Sequence, residues 1–400
     1  MTQELARRIA ITIGALLIFR LGCYIPLGGI STRTGLLSSF PASRVSIFAL
    51  SIIPYLTAAI IIQLVSVVWG RVSALERSGE AGRRRIIGYT LILTLLLAAF
   101  QAFGVASALQ GIRGFVVEPG NWFLASATAT MVGGVFFLVW LSEQITRHGV
   151  GNGLALILSV GIVISFPADV ATAFELLRQG AVSSNLVLFN TVLWIALVAV
   201  MVLVETARRN VPVQYAARQV GKRLLAPRSS ALSIKLNNAG FLIPTIVAPW
   251  IFYLPLVAAS FLFGQTPWLA AAGAHIRFGQ PVHVILGSIA VFVLIFIYTA
   301  RVLDPEQAAE TLKGQGGVVE GIMPGEATAD HLDRIASLTT VVGAVYLVAV
   351  SLIPEGLLAI GIALPYKIGG GSVLIVVCTI LDLKKQVRDR SLTNRGGERI

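Results

Sequence analysis

Apolar residues in this chain gather into long runs, each bounded by charge, glycine or proline and each, Arg20 apart, without an interior charge. A hydrocarbon core about 30 Å thick takes roughly 20 residues of helix, so runs of that length predict membrane-spanning helices. Ten emerge, at 8–27, 46–69, 86–109, 122–142, 152–167, 186–206, 237–263, 282–300, 335–354 and 365–383. The short alternating segments of an outer-membrane barrel would look different. Five spans followed by five place an odd number in each half, 1–185 and 186–400, so the second half enters the membrane inverted. Inverted repeats commonly build a pathway between their halves.

The distribution of charge orients the spans. With the N-terminus inside, the inner segments hold 24 of the 31 Lys and Arg, against six outside and Arg20 within a span. That asymmetry predicts both termini in the cytoplasm. The net charge of +12 is therefore mainly topology and not the mark of a nucleic-acid binder. Composition agrees: 56% of residues are hydrophobic and 12% charged, half the charged share of an ordinary globular chain. A soluble enzyme, a disordered chain, a coiled coil and a disulfide scaffold are all excluded. Arg7 and Arg8 before an apolar run imitate a secretory signal, and Arg20-Leu21-Gly22-Cys23 imitates a lipoprotein box. Nine further spans argue against cleavage at either. Cys23 and Cys378, in different spans and without metal spacing, read as packing residues.

Catalytic and ion-coupling chemistry is sparse. Glu143, Glu205 and Asp382 sit at span ends, so no carboxylate marks a proton or sodium path at midplane. His148, His275, His283 and His331 are scattered, with no HExxH pair, and no phosphate loop surrounds Gly221-Lys222. Neither an enzyme nor a cofactor is expected. Arg20 either snorkels to the outer interface or packs against polar groups in the bundle. The pattern is that of a passive conduit driven by a partner or by its substrate.

Two regions stand out. Gly35 to Arg44 (GLLSSFPASR) is semi-apolar yet too short to cross the bilayer, which suits either a plug or a surface loop. The inner loop 207–236 carries seven basic residues and no acid, whereas 301–334 has three bases against seven acids. The basic tract either anchors topology or attracts ribosomal RNA, anionic lipid or an acidic protein.

A family resemblance rests on seven blocks in order: SIFALSIIPYLTAAIIIQLVSVV (Ser46 to Val68), SGEAGRRRI (Ser78 to Ile86), WLSEQITRHGVGNGLALI (Trp140 to Ile157), VETARRNVPVQYAARQVGKR (Val204 to Arg223), DPEQAAETLK (Asp304 to Lys313), GIMPGEATADHLDRI (Gly321 to Ile335) and GGGSVLIVV (Gly369 to Val377). Together they resemble the SecY family, the pore subunits of bacterial protein-conducting channels. The resemblance implies an all-α polytopic fold of ten helices, two inverted five-helix halves around an hourglass pore, opening sideways between spans two and three and spans seven and eight. It places a pore ring at Ile52, Leu56, Leu154, Leu158, Ile246 and Ile375, and a plug over Leu36, Leu37, Ser38, Ser39, Phe40 and Arg44. Lateral-gate residues fall on Thr57, Gln63, Gln101, Pro249 and Trp250, and partner docking on Arg218, Lys222, Arg223, Met323 and Glu326. Branched apolar side chains at such a waist dewet the constriction and exclude ions, yet rotate aside for a polypeptide.

The implied partners are the small membrane subunits SecE and SecG in a heterotrimer, the SecA ATPase or a ribosome on the inner loops, anionic lipid, and signal peptides or nascent transmembrane segments as substrates. The implied location is the cell inner membrane. Departures from the family pattern are a shortened plug with Ser38, Ser39 and Pro41 in place of a glycine pair, Pro249-Trp250 in place of small polar residues, and an extra residue between Gly240 and Pro244. Met323 replaces the arginine of the GIRPGE block. The rival readings are a motor-independent insertase of the same fold and a small-solute secondary transporter.

Overall fold

A helix that is apolar on every side has no face to offer water, and most of the long elements here are of that kind. The structure is a computed structural model describing residues 3–31, 45–215, 218–220, 223–225, 228–241, 259, 266–276, 279–302, 304–360 and 369–397. In chain order the elements begin with α1 (Gln3–Gly22), α2 (Ile53–Val68), α3 (Gly70–Arg77), α4 (Glu80–Gln110), α5 (Asn121–His148), α6 (Gly153–Arg178) and α7 (Ser184–Thr206). Four strands follow: β1 (Arg208–Tyr215), β2 (Arg218–Val220), β3 (Arg223–Leu225) and β4 (Arg228–Lys235). Then come α8 (Pro267–His275), α9 (Pro281–Val302), α10 (Pro305–Gly314), β5 (Gly317–Val319), α11 (Glu326–Ala359) and α12 (Gly370–Gly397). Among the described residues, six helical stretches are long and apolar enough to cross a membrane. The expected seventh span, 237–263, lies outside the described residues except for 237–241 and 259. The other nine each fall on a helix.

The chain divides into two compact units, Met1–Pro167 with Cys378–Ile400, and Ala168–Val377. In the first, α4 turns a stripe of fully buried Ala98, Ala102 and Ala106 toward a core that includes Phe115, Phe123 and Met131. Small residues one turn apart let helices approach closely where lipid supplies no hydrophobic drive. Between α1 and α2 the described residues 23–31 and 45–52 are mostly irregular, and several of their backbone polar groups are met by neighbours. Leu27 N donates to the Val45 carbonyl at 3.0 Å and Ile47 N to that of Ile25 at 3.0 Å. Ser31 N donates to the Phe115 carbonyl and Val117 N to that of Gly29, both at 2.9 Å.

The turn between α5 and α6 reads His148-Gly-Val-Gly-Asn-Gly153, and its glycines follow from what surrounds it. Val150 N donates to Thr12 Oγ1 of α1 at 2.9 Å, and Gly151 N donates to Gln386 Oε1 of α12 at 3.0 Å. Asn152 accepts from Leu154 N at 3.0 Å, opening α6, while Thr146 accepts from Gly153 N at 2.9 Å. A Cβ on Gly153 would lie 1.9 Å from the Ser142 carbonyl oxygen, and one on Gly149 would lie 2.4 Å from Thr12 Oγ1. Farther along, Ser159 donates to Thr379 at 2.7 Å.

In the second unit the basic segment that charge alone presents as a loop is a β-hairpin. β1 and β4 pair antiparallel from Arg208↔Lys235 to Tyr215↔Arg228, and β5, from the acidic segment, adds to β1 to give the order β4-β1-β5. β2 and β3 pair as a second, shorter hairpin at the tip. Strand alternation buries Val211 and Val213, which pack with Ile234, Leu312, Val319 and Leu332. The fold is thus mostly helical, with a small sheet where the two long loops meet.

Replacing Gly153 with alanine is expected to destabilise the protein by about 1–3 kcal/mol, because a backbone carbonyl occupies the space of the new methyl. Gly133 on α5, whose added Cβ meets nothing within 4 Å, is the control. Thermal unfolding of the detergent-solubilised protein should show a lowered midpoint for Gly153→Ala and none of that loss for Gly133→Ala.

Candidate functional site

The expected ring residues that lie among the described residues sit at or within the first two turns of helices. Ile52 directly precedes α2 and Leu56 lies one turn later on the same face; both are buried. Pro54 in the first turn of α2 suits a position with no intrahelical donor duty, and the chain enters through Ser51 at a φ of 53°. Such a φ is uncommon for a residue with a side chain, and Ser51 N is held by the Phe48 carbonyl at 2.8 Å. On α6, Leu154 is half-buried and Leu158 buried, again one turn apart. These four belong to the first unit; Ile375, buried on α12, belongs to the second. Ile246 lies outside the described residues.

The expected plug, Leu36, Leu37, Ser38, Ser39, Phe40 and Arg44, also lies outside them, but its flanks are the hydrogen-bonded stretches ending at Ser31 and beginning at Val45. Of the gate residues, Thr57 is buried and donates to the Ile53 carbonyl of its own helix at 3.0 Å. Its hydroxyl is therefore satisfied within α2. Gln63 is exposed, whereas Gln101 on α4 is half-buried with its Nε2 lacking a partner among the described residues. A buried amide donor in that condition is available to a neighbouring element. Pro249 and Trp250 lie outside the described residues.

On the expected docking surface, Arg218 and Arg223 lie on β2 and β3, and Lys222 between them is outside the described residues. Met323 is 80% exposed, at a tip flanked by Gly321 and Gly325 with φ of 76° and 112°. The Met323 carbonyl accepts from Thr328 Oγ1 at 2.8 Å, and Glu326 opens α11, where a carboxylate favours the helix dipole. The tip is ordered by backbone contacts, and the thioether points outward.

Three polar clusters were not singled out from sequence. Glu205 at the end of α7 accepts from Asn237 Nδ2 at 2.7 Å and from Tyr346 OH of α11 at 3.2 Å. Glu355 of α11, buried, pairs with His283 of α9 and accepts from Gly279 N at 3.0 Å. On α7, Asn190 is fully buried, with neither amide atom partnered among the described residues. A polar residue inside or at the edge of an apolar run is the signal that points to each. His283 and Glu355 also stand at the same-side ends of consecutive antiparallel spans.

Comparison with known proteins follows this geometry. The family model for SecY matches residues 46–384. The protein translocase subunit SecY of Escherichia coli K12 is 39% identical over 413 residues, covering 98% of this chain and 93% of that protein. The same subunit from Vibrio cholerae is 37% identical over 98% of this chain and 93% of its own length. Among solved structures, a SecY protein whose plug domain stabilises the closed state of the channel has a TM-score of 0.72 at 19% identity, over 97% of this chain and 93% of that one. Sec61 in a canine ribosome–channel complex has a TM-score of 0.66 at 19% identity, with the same coverage. With the family model running from the turn before α2 into α12 and the identity to these relatives extending over nearly the full length, the chain belongs to the SecY family.

Proposed function

We propose that this multi-pass membrane protein is the pore subunit of a protein translocase, passing unfolded polypeptides across the membrane and releasing apolar segments sideways into lipid. The observation that carries the reading is the near-full-length identity with protein translocase subunits. The halves are 1–185 and 186–400, and the waist between them is ringed by Ile52, Leu56, Leu154, Leu158, Ile246 and Ile375. Apolar branched side chains there deny water the hydrogen bonds it needs in a narrow neck, so ions are excluded until a chain displaces them. The segment around Leu36 to Arg44 plugs the outer side.

An apolar signal peptide or transmembrane segment gains free energy by leaving an aqueous neck for lipid, which gives substrates their own reason to open the gate. Thr57, Gln63 and Gln101 face that gate, with Pro249 and Trp250 opposite, and the Gln101 donor, without a partner among the described residues, is suited to close it by an interhelical hydrogen bond. The protein sits in the cell inner membrane with both termini in the cytoplasm. It works in a heterotrimer with SecE and SecG, and SecA or a ribosome docks on the basic hairpin and the Met323 tip. Anionic lipid supports the basic face.

Reconstitution in vesicles with a motor and a secretory precursor tests the reading. Wild-type protein should translocate a precursor with an intact signal and reject one with a weakened signal. Ile375→Asn should admit both and leak ions, because an amide stabilises water in a neck that isoleucine keeps dry. A folded variant with neither ion leak nor relaxed selection would remove Ile375 from the seal.

Charge reversal at Arg218, Lys222 and Arg223 is expected to weaken partner docking about tenfold or more without unfolding the helices, and wild-type docking should weaken as salt rises. Binding assays across a salt series check both. Met323→Arg is expected to tighten docking of a partner that carries a carboxylate there by about 1–3 kcal/mol, the worth of a charge-assisted hydrogen bond. Unchanged affinity, with no crosslink from position 323, would show that the tip is not a contact.

A further inference from the structure

The basic hairpin leaves the membrane-spanning part of its unit through a narrow neck. α7 ends at Thr206, β1 begins at Arg208, and the two sides of the neck are joined by Leu236 N donating to the Ala207 carbonyl at 3.1 Å. Directly below the neck, Glu205 lies on one side and Asn237 on the other, and the carboxylate accepts from the Asn237 amide at 2.7 Å. The same oxygen, Oε1, accepts from Tyr346 OH of α11 at 3.2 Å. Asn237 is used twice, since its Oδ1 accepts from Gly240 N at 3.0 Å. Both donors are enclosed: Asn237 is 4% exposed and Tyr346 7%.

α11 reaches the neck closely. A Cβ on Gly343, three residues before Tyr346 and on the same face, would lie 2.8 Å from the Leu236 carbonyl oxygen. Near its start the same helix packs Leu332 and Ile335 against Val211, Val213 and Ile234 of the hairpin. α11 therefore grips the hairpin twice. The apolar grip is non-directional and tolerates repacking. The carboxylate grip is directional, and two donors on one oxygen fix where the neck sits along α11.

Glu205 has basic neighbours that it does not use. Arg208 and Arg209 follow within four residues and are exposed, and among the described residues no basic side chain pairs with Glu205. The carboxylate is instead turned toward two neutral donors on separate segments. An arrangement serving only to offset the basic tract would pair with an arginine; this one joins α7, α11 and the residue at which the seventh apolar run begins.

We propose that Glu205 is a positioning residue that couples the hairpin to the pore: through Asn237 and Tyr346 it holds the neck rigidly on α11, so that a load placed on the hairpin by a docked partner is delivered to the start of span seven. This rests on the protein-conducting reading for its consequence, and on geometry alone for the rigid mount. Without the carboxylate the hairpin still folds and still binds, since its strand pairing and apolar core are intact. What is lost is the transmission.

The test separates mount from function. Spin labels at exposed Ser230 on β4 and exposed Leu338 on α11, with both native cysteines replaced by alanine, report the hairpin-to-helix distance in vesicles with no partner or substrate present. Glu205→Leu should broaden that distance distribution about twofold, Tyr346→Phe should broaden it less, and Glu205→Gln, which keeps a carbonyl oxygen, should leave it close to wild type. Translocation per docked partner should fall about tenfold in Glu205→Leu, within the usual range of coupling between sites, with partner affinity unchanged and with rescue in Glu205→Gln. An unbroadened distance in a folded Glu205→Leu protein overturns the mount. Broadening with full translocation overturns the coupling, as does a loss of translocation matched by an equal loss of docking. Wild-type protein that moves no precursor with any motor fails the channel reading instead, and the distance measurement still decides the mount.

Discussion

A buried backbone amide or carbonyl with no partner costs free energy comparable to a lost hydrogen bond, and the described irregular stretches flanking α1, α2 and the α5–α6 turn are arranged around that penalty. Helices satisfy themselves; the stretches between them cannot. The described stretches 23–31 and 45–51 leave helical geometry, and their amides and carbonyls are met by one another and by the loop before α5. The turn at 149–153 is met by Thr12, Thr146 and Gln386, side chains from three different helices. Both of these departures from helix are therefore also crosslinks. The need to satisfy buried backbone makes these described non-helical stretches places where helices are tied together.

Polar side chains follow a related rule. Glu205 and Glu355 both stand at ends of apolar runs, and both hold a neighbouring segment by accepting from two donors. Glu355 meets the backbone N–H of Gly279 just before α9 begins, where a helix presents unsatisfied donors and positive partial charge. A carboxylate supplied by another helix thus fixes the starting point of α9 against α11. Carboxylates in such positions set register between elements more than they add stability, because desolvation consumes much of the attraction.

Spans were legible because hydrophobic length is a direct consequence of bilayer thickness, and nine of the ten apolar runs fall on helices among the described residues. Periodicity could not reveal the hairpin. Its first strand carries exposed arginines, and among the described residues only Val211, Val213 and Ile234 of the hairpin are fully buried, a pattern too short to outweigh the charge of the loop. The proposed ring positions on α2, α6 and α12 rest on motif resemblance alone, since in a chain that is apolar throughout a buried leucine carries no local sign of a role. Glu205, Asn237 and Tyr346 were hidden for a different reason. They are separated by 32 and 141 positions from Glu205, and a hydrogen bond between distant segments leaves no periodic trace.

The two long loops have opposite charge, seven bases without an acid in one and an acidic excess in the other, and sequence presents them as separate features. In the fold they are one object. β5 of the acidic segment pairs with β1 of the basic one, and α10 and α11 close the core beneath them. A partner approaching this unit meets a polar surface with a basic hairpin and an acidic tip around Glu320 and Glu326, so attraction to one part is accompanied by repulsion from the other. Charge arranged in that way orients a docking partner as well as attracting it. Met323 belongs to this account: a cation at the tip would blur the division, whereas an exposed thioether leaves the acidic end uniformly negative. Methionine at this position therefore keeps the charge division between the hairpin and the tip intact.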